Sequence, residues 1–218
     1  MKSLKESILS STNTGKLGKI QEWCEKNIKF ATYEVQHDGK IINKNNKAII
    51  INYNKSFDIP SYIKFGKLSG TFLIGNLINV IKQEQLPEIC NYFYVGNVET
   101  IENELHIKVR RGFAVEENHL SKIKKNITIE YTNDECFLDF SYSKINLKDL
   151  NKINVIGKNV ELDLTKTPAE MEIYKNYYNE DNSFDEIIKK NFPKLANNIN
   201  SIKFDFAHIE KNDKNEWI

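Results

Sequence analysis

Gly70-Thr-Phe-Leu-Ile-Gly75-Asn76-Leu77 has the glycine spacing of a phosphate-binding loop. Such a loop needs a lysine charge for the phosphates and a Ser or Thr hydroxyl for magnesium. Here Asn76 takes the lysine's place and Leu77 the hydroxyl's, and the segment reads as an apolar strand, so phosphate binding loses its physical basis. Thr14-Gly15-Lys16 lacks the upstream glycine and fails in the same way. His37, His106, His119 and His208 are too dispersed for metal-ligand spacing. His119 beside Glu116 and Glu117 could serve as an oriented base or ligand, although a histidine in a polar turn is ordinarily just solvated. Asp181, Ser183 and Asp185 alternate like the opening of a calcium loop, yet Glu186 stands at its required glycine and Phe192 at its closing glutamate. Cys24, Cys90 and Cys136 form no CxxC pair, and an odd, scattered set fits reduced packing thiols better than a disulfide frame. Nothing marks a pair of carboxylates with pKa values driven apart. The reading is a chain with no catalytic residue, metal or cofactor, leaning away from an enzyme.

Two groups of residues could instead make a contact surface. Arg110 and Arg111, with Lys122, Lys124 and Lys125 further on, could form a local basic patch one coil apart, against the plainer reading of a solvated face. Tyr92 and Tyr94 alternate with Phe93 and Val95, which gives one strand aromatic character on both faces. In a repeat protein the strand face turned away from the core is the usual binding surface.

Lys+Arg total 31 against 30 for Asp+Glu, so no global field draws the chain to nucleic acid or an anionic membrane. The only arginines are Arg110 and Arg111, and bidentate reading of phosphate or guanine favours Arg, which argues against nucleic acid. No apolar run approaches the ~18 residues of a membrane span. The opening MKSLKESILSSTNTGK has no apolar core of a secretory signal, so the chain is expected to stay where it is made or leave by lysis.

Leu17, Ile20, Cys24 and Ile28 recur at helical spacing with Trp23 beside them, after a polar leader over 1–16 whose apolar stripe is Leu4, Ile8 and Leu9. ATYEVQ (31–36) and KAIIINYN (47–54), with turn-rich stretches around the short IIN run between them, read as hairpin material, completing an N-terminal unit over 17–58. From Ile59 the sequence repeats. GTFLIGN ends at Asn76, NYFYVGN at Asn97 and GFAVEEN at Asn118, each 21 residues after the last, and weaker turns continue as CFLDFSYSKINLKDL and NVELDLTK. A second apolar segment precedes each strand: YIKF, LPEI, LHIKV, ITIEY and INVI. A period this short means one coil of backbone per repeat, with neighbours burying each other's edges. Strands are expected near 70–75, 91–96, 112–116, 137–142 and 159–164, all in one parallel sheet, with Phe72 touching Phe93. The third coil fits worst, because Ala114 and Glu116 fall where Phe72 and Ile74 sit in the first, so a bulge or kink is expected near Gly112. After 59–166 the period stops. Thr167-Pro-Ala-Glu170 and Ser183-Phe-Asp-Glu186 read as capping boxes of two closing helices, with a possible last strand in SIKFDFAHI (201–209), so 167–218 is a helical cap.

The order of a Trp-bearing helix, a hairpin, then Ile59-Pro60-Ser61-Tyr62-Ile63-Lys64-Phe65-Gly66-Lys67-Leu68-Ser69-Gly70-Thr71-Phe72 and Asn-ended strands resembles a broad group of leucine-rich-repeat-like proteins. These are encoded mainly by tailed phages of gut Bacteroidetes, crAss-like phages among them, and mostly lack assigned function. The resemblance covers roughly 17–166 and departs in having few leucines at the tail positions and no exact repeats. Met1–Leu9 is similar in pattern to capsid-targeting leaders of internal head proteins in large tailed phages. The resemblance implies an α+β chain: a short, irregular leucine-rich-repeat-like β-solenoid with an N-terminal amphipathic helix and a C-terminal helical cap. The expected role is a non-catalytic interaction or structural module with a phage or host protein partner, in the host cytoplasm or the virion. The rivals are an inhibitor of a host enzyme or defence system, an enzyme with its site in 167–218, and a nucleic-acid-associated protein. The oligomeric state is left open.

Overall fold

The computed structural model describes residues 4–29, 31–51, 59–75, 82–177 and 198–205. Helix α1 spans Leu4–Asn27. It starts well before Leu17, so Leu4, Ile8 and Leu9 lie in the same helix as Ile20 and Cys24; Met1–Ser3 lie outside the described residues. Ile20, Trp23, Cys24 and Ile28 are buried on the first coil, with Ile20 Cδ1 close to Gly39. Strands β1 (Ile28–Lys29), β2 (Tyr33–Val35), β3 (Lys40–Asn43) and β4 (Ile49–Ile51) follow. β2 and β3 form the expected hairpin. Its turn places Gly39 at φ 84°, a backbone state that glycine enters without steric cost. β1 runs antiparallel to β4, the first strand of the long sheet.

From there the chain coils: β5 (Lys64–Phe65), β6 (Thr71–Ile74), β7 (Cys90–Val95), β8 (Thr100–Ile101), β9 (Leu105–Val115), β10 (Lys122–Ile123), β11 (Ile127–Tyr131), β12 (Cys136–Asp139), helix α2 (Leu147–Leu150), β13 (Ile153–Ile156) and β14 (Val160–Asp163). Helix α3 (Pro168–Tyr177) and β15 (Ile199–Lys203) close the described chain. The long ladder runs β4-β6-β7-β9-β12-β14-β15, and every pair in it is parallel. A second parallel ladder joins the first half of β9 to β11 and β11 to β13, and a third joins β8 to β10. The molecule is therefore a parallel β-solenoid of about five turns with few helices. The segments LHIKV, ITIEY and INVI, which precede the long-ladder strands, are the second ladder.

Strand alternation sends every second residue inward. Phe72, Phe93, Phe113, Leu138, Leu162 and Ile202 stand in register along the long ladder. Phe72 and Phe93 touch as expected, with ring centroids 5.6 Å apart, and the stack continues to Phe113 and Phe140 at 5.9 Å each. Leu105, Ile127 and Ile153 do the same on the second ladder. The expected irregularity is present. Cys90 pairs with Val109 and Tyr92 with Gly112, so Arg110 and Arg111 oppose the single residue Asn91. This bulge puts Phe113 and Val115, in place of Ala114 and Glu116, into the positions of Phe72 and Ile74.

The turn leaving the long ladder needs left-handed backbone. Asn97 (φ 42°), Asn118 (φ 61°), Tyr142 (φ 58°) and Lys166 (φ 56°) supply it in four successive coils. Asn tolerates this region well; Tyr142 and Lys166 do so at some cost, and their side chains meet, with the Lys166 ammonium 5.3 Å from the Tyr142 ring centre. At the far end Thr167 Oγ1 accepts from the Glu170 N–H (3.1 Å), which caps α3. The Glu170 carboxylate accepts from the N–H of Lys166 (2.6 Å) and of Asp205 (2.5 Å), clamping β15's exit to the helix start. The second expected capping box at Ser183–Glu186 and residues 206–209 lie outside the described residues.

Candidate functional site

On the long ladder the residues between the core positions face outward in two columns. One holds Thr71, Tyr92, Gly112, Phe137, Glu161 and Ser201; the other holds Leu73, Tyr94, Ala114, Asp139, Asp163 and Lys203. Tyr92 and Tyr94 thus face away from the core, while Phe93 and Val95 are buried. Gly112 leaves a gap between two aromatic neighbours. The Phe137 ring lies over that gap, where a β-carbon at 112 would collide with it. Across the gap the Tyr92 and Phe137 rings approach to 5.7 Å at 30°, although β9 runs between their strands. The result is an aromatic clasp on the outward face, with Phe137 still 37% exposed.

Carboxylates surround it. Burial, then the neighbouring Glu116, Asp139 and Glu117, push the Tyr94 hydroxyl's pKa up. Asp139 and Asp163 each accept from an N–H two residues on, Ser141 (2.8 Å) and Thr165 (3.0 Å), which holds their side chains in place. Lys203 reaches Asp163 (3.4 Å) and Glu161 (3.7 Å), and the Asp163 charge foremost raises its pKa.

The basic residues do not gather into one patch. The Arg110 guanidinium turns back along the solenoid, donating to the Leu68 carbonyl (2.7 Å) and Asn91 Oδ1 (3.2 Å). Asn91 in turn donates to the Ser69 carbonyl (2.5 Å), and Asn43 Oδ1 accepts from the Ser69 N–H (2.8 Å). This polar seam stitches four coils at the bulged corner. Arg111 is exposed at that corner. Lys122 lies on the third ladder, and Lys124 pairs with Glu102 (2.6 Å); Lys122, Lys124 and Lys125 are all exposed.

No family model matches the chain, and no curated protein or solved structure matches it either. Its role has to be read from its own surface.

The described residues carry little reactive chemistry. Burial pushes the Cys24 and Cys90 thiols up to about 12, and Cys136 is raised by the same cause. Thiols so poorly ionised are weak nucleophiles. His119 stands 4.0 Å from Glu116, too long for a hydrogen bond. A group the sequence did not single out is His106, whose Nε2 lies 2.7 Å from Glu130 Oε2, with Lys108 3.1 Å from the same oxygen. The Lys108 hydrogen bond foremost holds the Glu130 carboxyl below its usual range. The three sit on the outer side of the second ladder, two coils in register, as a solvated charge cluster. Among the described residues no three metal-ligating side chains converge, and no helix is long and apolar enough to cross a membrane. In the C-terminal region considered for an active site, the buried carboxylate Glu170 is committed to backbone N–H groups; residues 178–197 and 206–218 lie outside the described residues.

The clasp itself was missed. In the sequence Tyr92 shows as an outward aromatic, whereas Phe137 shows only as a residue of an expected strand. The available signal was a glycine inside a strand with an aromatic 25 positions later, about one coil on.

Proposed function

We propose that this chain is a non-catalytic protein–protein interaction or structural module that uses the outer face of its long ladder. The finer reading is a leucine-rich-repeat-like protein of a tailed phage, carried in the particle or acting on a host protein. The aromatic clasp of Tyr92 and Phe137 is the observation that supports the contact role. Exposed aromatics held rigidly on a strand face bury large area on binding at small entropic cost. The parallel ladder sets these side chains in register on neighbouring strands, and readily ionised thiols or a spaced metal set are lacking among the described residues. The phage source rests on the resemblance of Ile59–Phe72 and of the opening Met1–Leu9.

The relation to leucine-rich repeats carries a physical qualification. Such repeats place a helix or 3₁₀ turn opposite each strand. Here two further parallel ladders fill much of the coil, and helical turns occur at Gln83–Gln85 and α2. The nucleic-acid alternative loses Arg110 to the seam, leaving Arg111 and scattered lysines.

Affinity capture of the tagged protein from phage-infected host cells, together with proteomics of purified particles, tests the role. The expected result is a stoichiometric protein partner whose capture Tyr94→Lys and Phe137→Leu together abolish. A partner retained by that variant, or turnover of a small molecule by the purified chain, contradicts the reading. Detection in particles supports the virion form, and absence from them with a host protein bound supports the inhibitor form.

A further inference from the structure

We propose that the partner segment seated at the β12–β14 end of this face is cationic, an extended stretch bearing Lys or Arg. The inference rests on the contact role proposed above and specifies its chemistry. The exposed side of Phe137 opens onto a depression lined by Glu135, Asn159, Glu161, Asn200 and Ser201. A ring face carries negative quadrupole, and a cation over it is attracted electrostatically. Carboxylates on both sides of such a ring add their charge to that of the ring face. The lining contains two carboxylates and no cationic side chain. Glu135 makes no ion pair among the described residues, and Glu161 shares the single Lys203 with Asp163 at 3.7 and 3.4 Å. The next column adds Asp139 and Asp163 at strand spacing. Among the described residues carboxylates therefore outnumber cations at this end of the face, although the chain as a whole has a formal charge of +1. The attraction is local to the face and not a property of the whole molecule.

The same chemistry is already used one turn away. Lys166 stands 5.3 Å from the centre of the Tyr142 ring, itself 40% exposed. A partner lysine or arginine over Phe137 would repeat that arrangement with carboxylates on either side. An extended segment fits because strand spacing along the ladder presents Phe137, Glu161 and Asp139, Asp163 at regular intervals. A neutral or acidic segment would cover these carboxylates and Glu135 without bringing a cation to match their charge, which is costly.

The probe is a fluorescein-labelled peptide of alternating Arg and Val, with an alternating Glu and Val peptide and a neutral oligosaccharide as comparators. Fluorescence anisotropy and titration calorimetry read the binding to the full chain. The expected result is saturable binding of the Arg peptide alone, weakening as salt rises. It should fall about tenfold in Phe137→Leu, which keeps Gly112 covered but removes the ring face, and further in Glu135→Gln with Glu161→Gln. Glu102→Gln, which deletes one carboxylate beside Lys124 on another face, should leave it unchanged. Equal weakening by Glu102→Gln, no saturable binding, or preference for the oligosaccharide or the Glu peptide overturns the inference. Capture of a protein partner that depends on the outer face, with no binding of the Arg peptide, sinks the cationic partner while leaving the contact role. Loss of both sinks both.

Discussion

Gly112 is the residue on which the candidate surface turns. Its missing side chain admits the Phe137 ring, and any β-carbon there must push the ring aside. Gly112→Ala is predicted to cost roughly 1–3 kcal/mol in a denaturant titration, the usual penalty for overpacking. In a Phe137→Ala background the same change should cost under about 1 kcal/mol, since the two side chains are coupled. Equal costs in both backgrounds would show that the clasp is not formed. The thiols allow a pH test. Unfolded cysteines ionise near 9, whereas Cys24 and Cys90 hold their protons up to about 12. Above 9 the unfolded state therefore binds fewer protons than the folded state, so stability should be steady below pH 9 and fall between 9 and 12. Native protein at pH 8 should resist alkylation at all three cysteines. At this scale the burial of Cys24 is legible from its place on the helix's apolar stripe, whereas the burial that raises Cys90 and Cys136 depends on the coils packed beside them. Gly112 was expected at a bulge, but its partnership with Phe137 depends on which coil lies beside which.

At the scale of elements, the repeat of Asn97 and Asn118 was legible because the left-handed turn it serves selects its residue type. The later turns were faint because Tyr142 and Lys166 occupy the same backbone state without the telltale side chain. The second ladder showed as a series of apolar segments, but that β9 is one strand running through both ladders did not. Its bulge hides the continuity by breaking the alternation at Arg110 and Arg111. Phe93 stands between Phe72 and Phe113 and is fully buried. Phe93→Ala is predicted to destabilise by about 3–5 kcal/mol, the range for a large core truncation. A loss below about 1 kcal/mol in a denaturant titration would remove it from the core.

At the scale of the whole molecule, a solenoid is quasi-one-dimensional, so its ends decide whether it holds together. Helix α1 covers the first coil with Ile20, Trp23 and Cys24. Burial of such side chains contributes about 1.5–3 kcal/mol each. Deleting residues 1–27 should therefore remove roughly 5 kcal/mol and make the hairpin of β2 and β3 protease-sensitive first; an unchanged melting temperature would show that the helix is no cap. The helix was expected from Leu17 because residues 1–16 are polar and Ser/Thr-rich and the apolar stripe of Leu17, Ile20, Cys24 and Ile28 begins there, and the structure nonetheless carries it back to Leu4. The parallel stacking was legible in the period, while the proposed contact face was only half legible, in Tyr92 and Tyr94. The central claim is that this outer face of the long ladder is where the protein meets its partner. Photo-crosslinking from p-benzoylphenylalanine placed at Tyr94, at Lys108 on the second ladder and at Lys122 on the third tests it most directly in cells that express the chain. The account predicts a protein crosslink from position 94 and none from 108 or 122; crosslinks from either of those positions, with 94 silent, would contradict it.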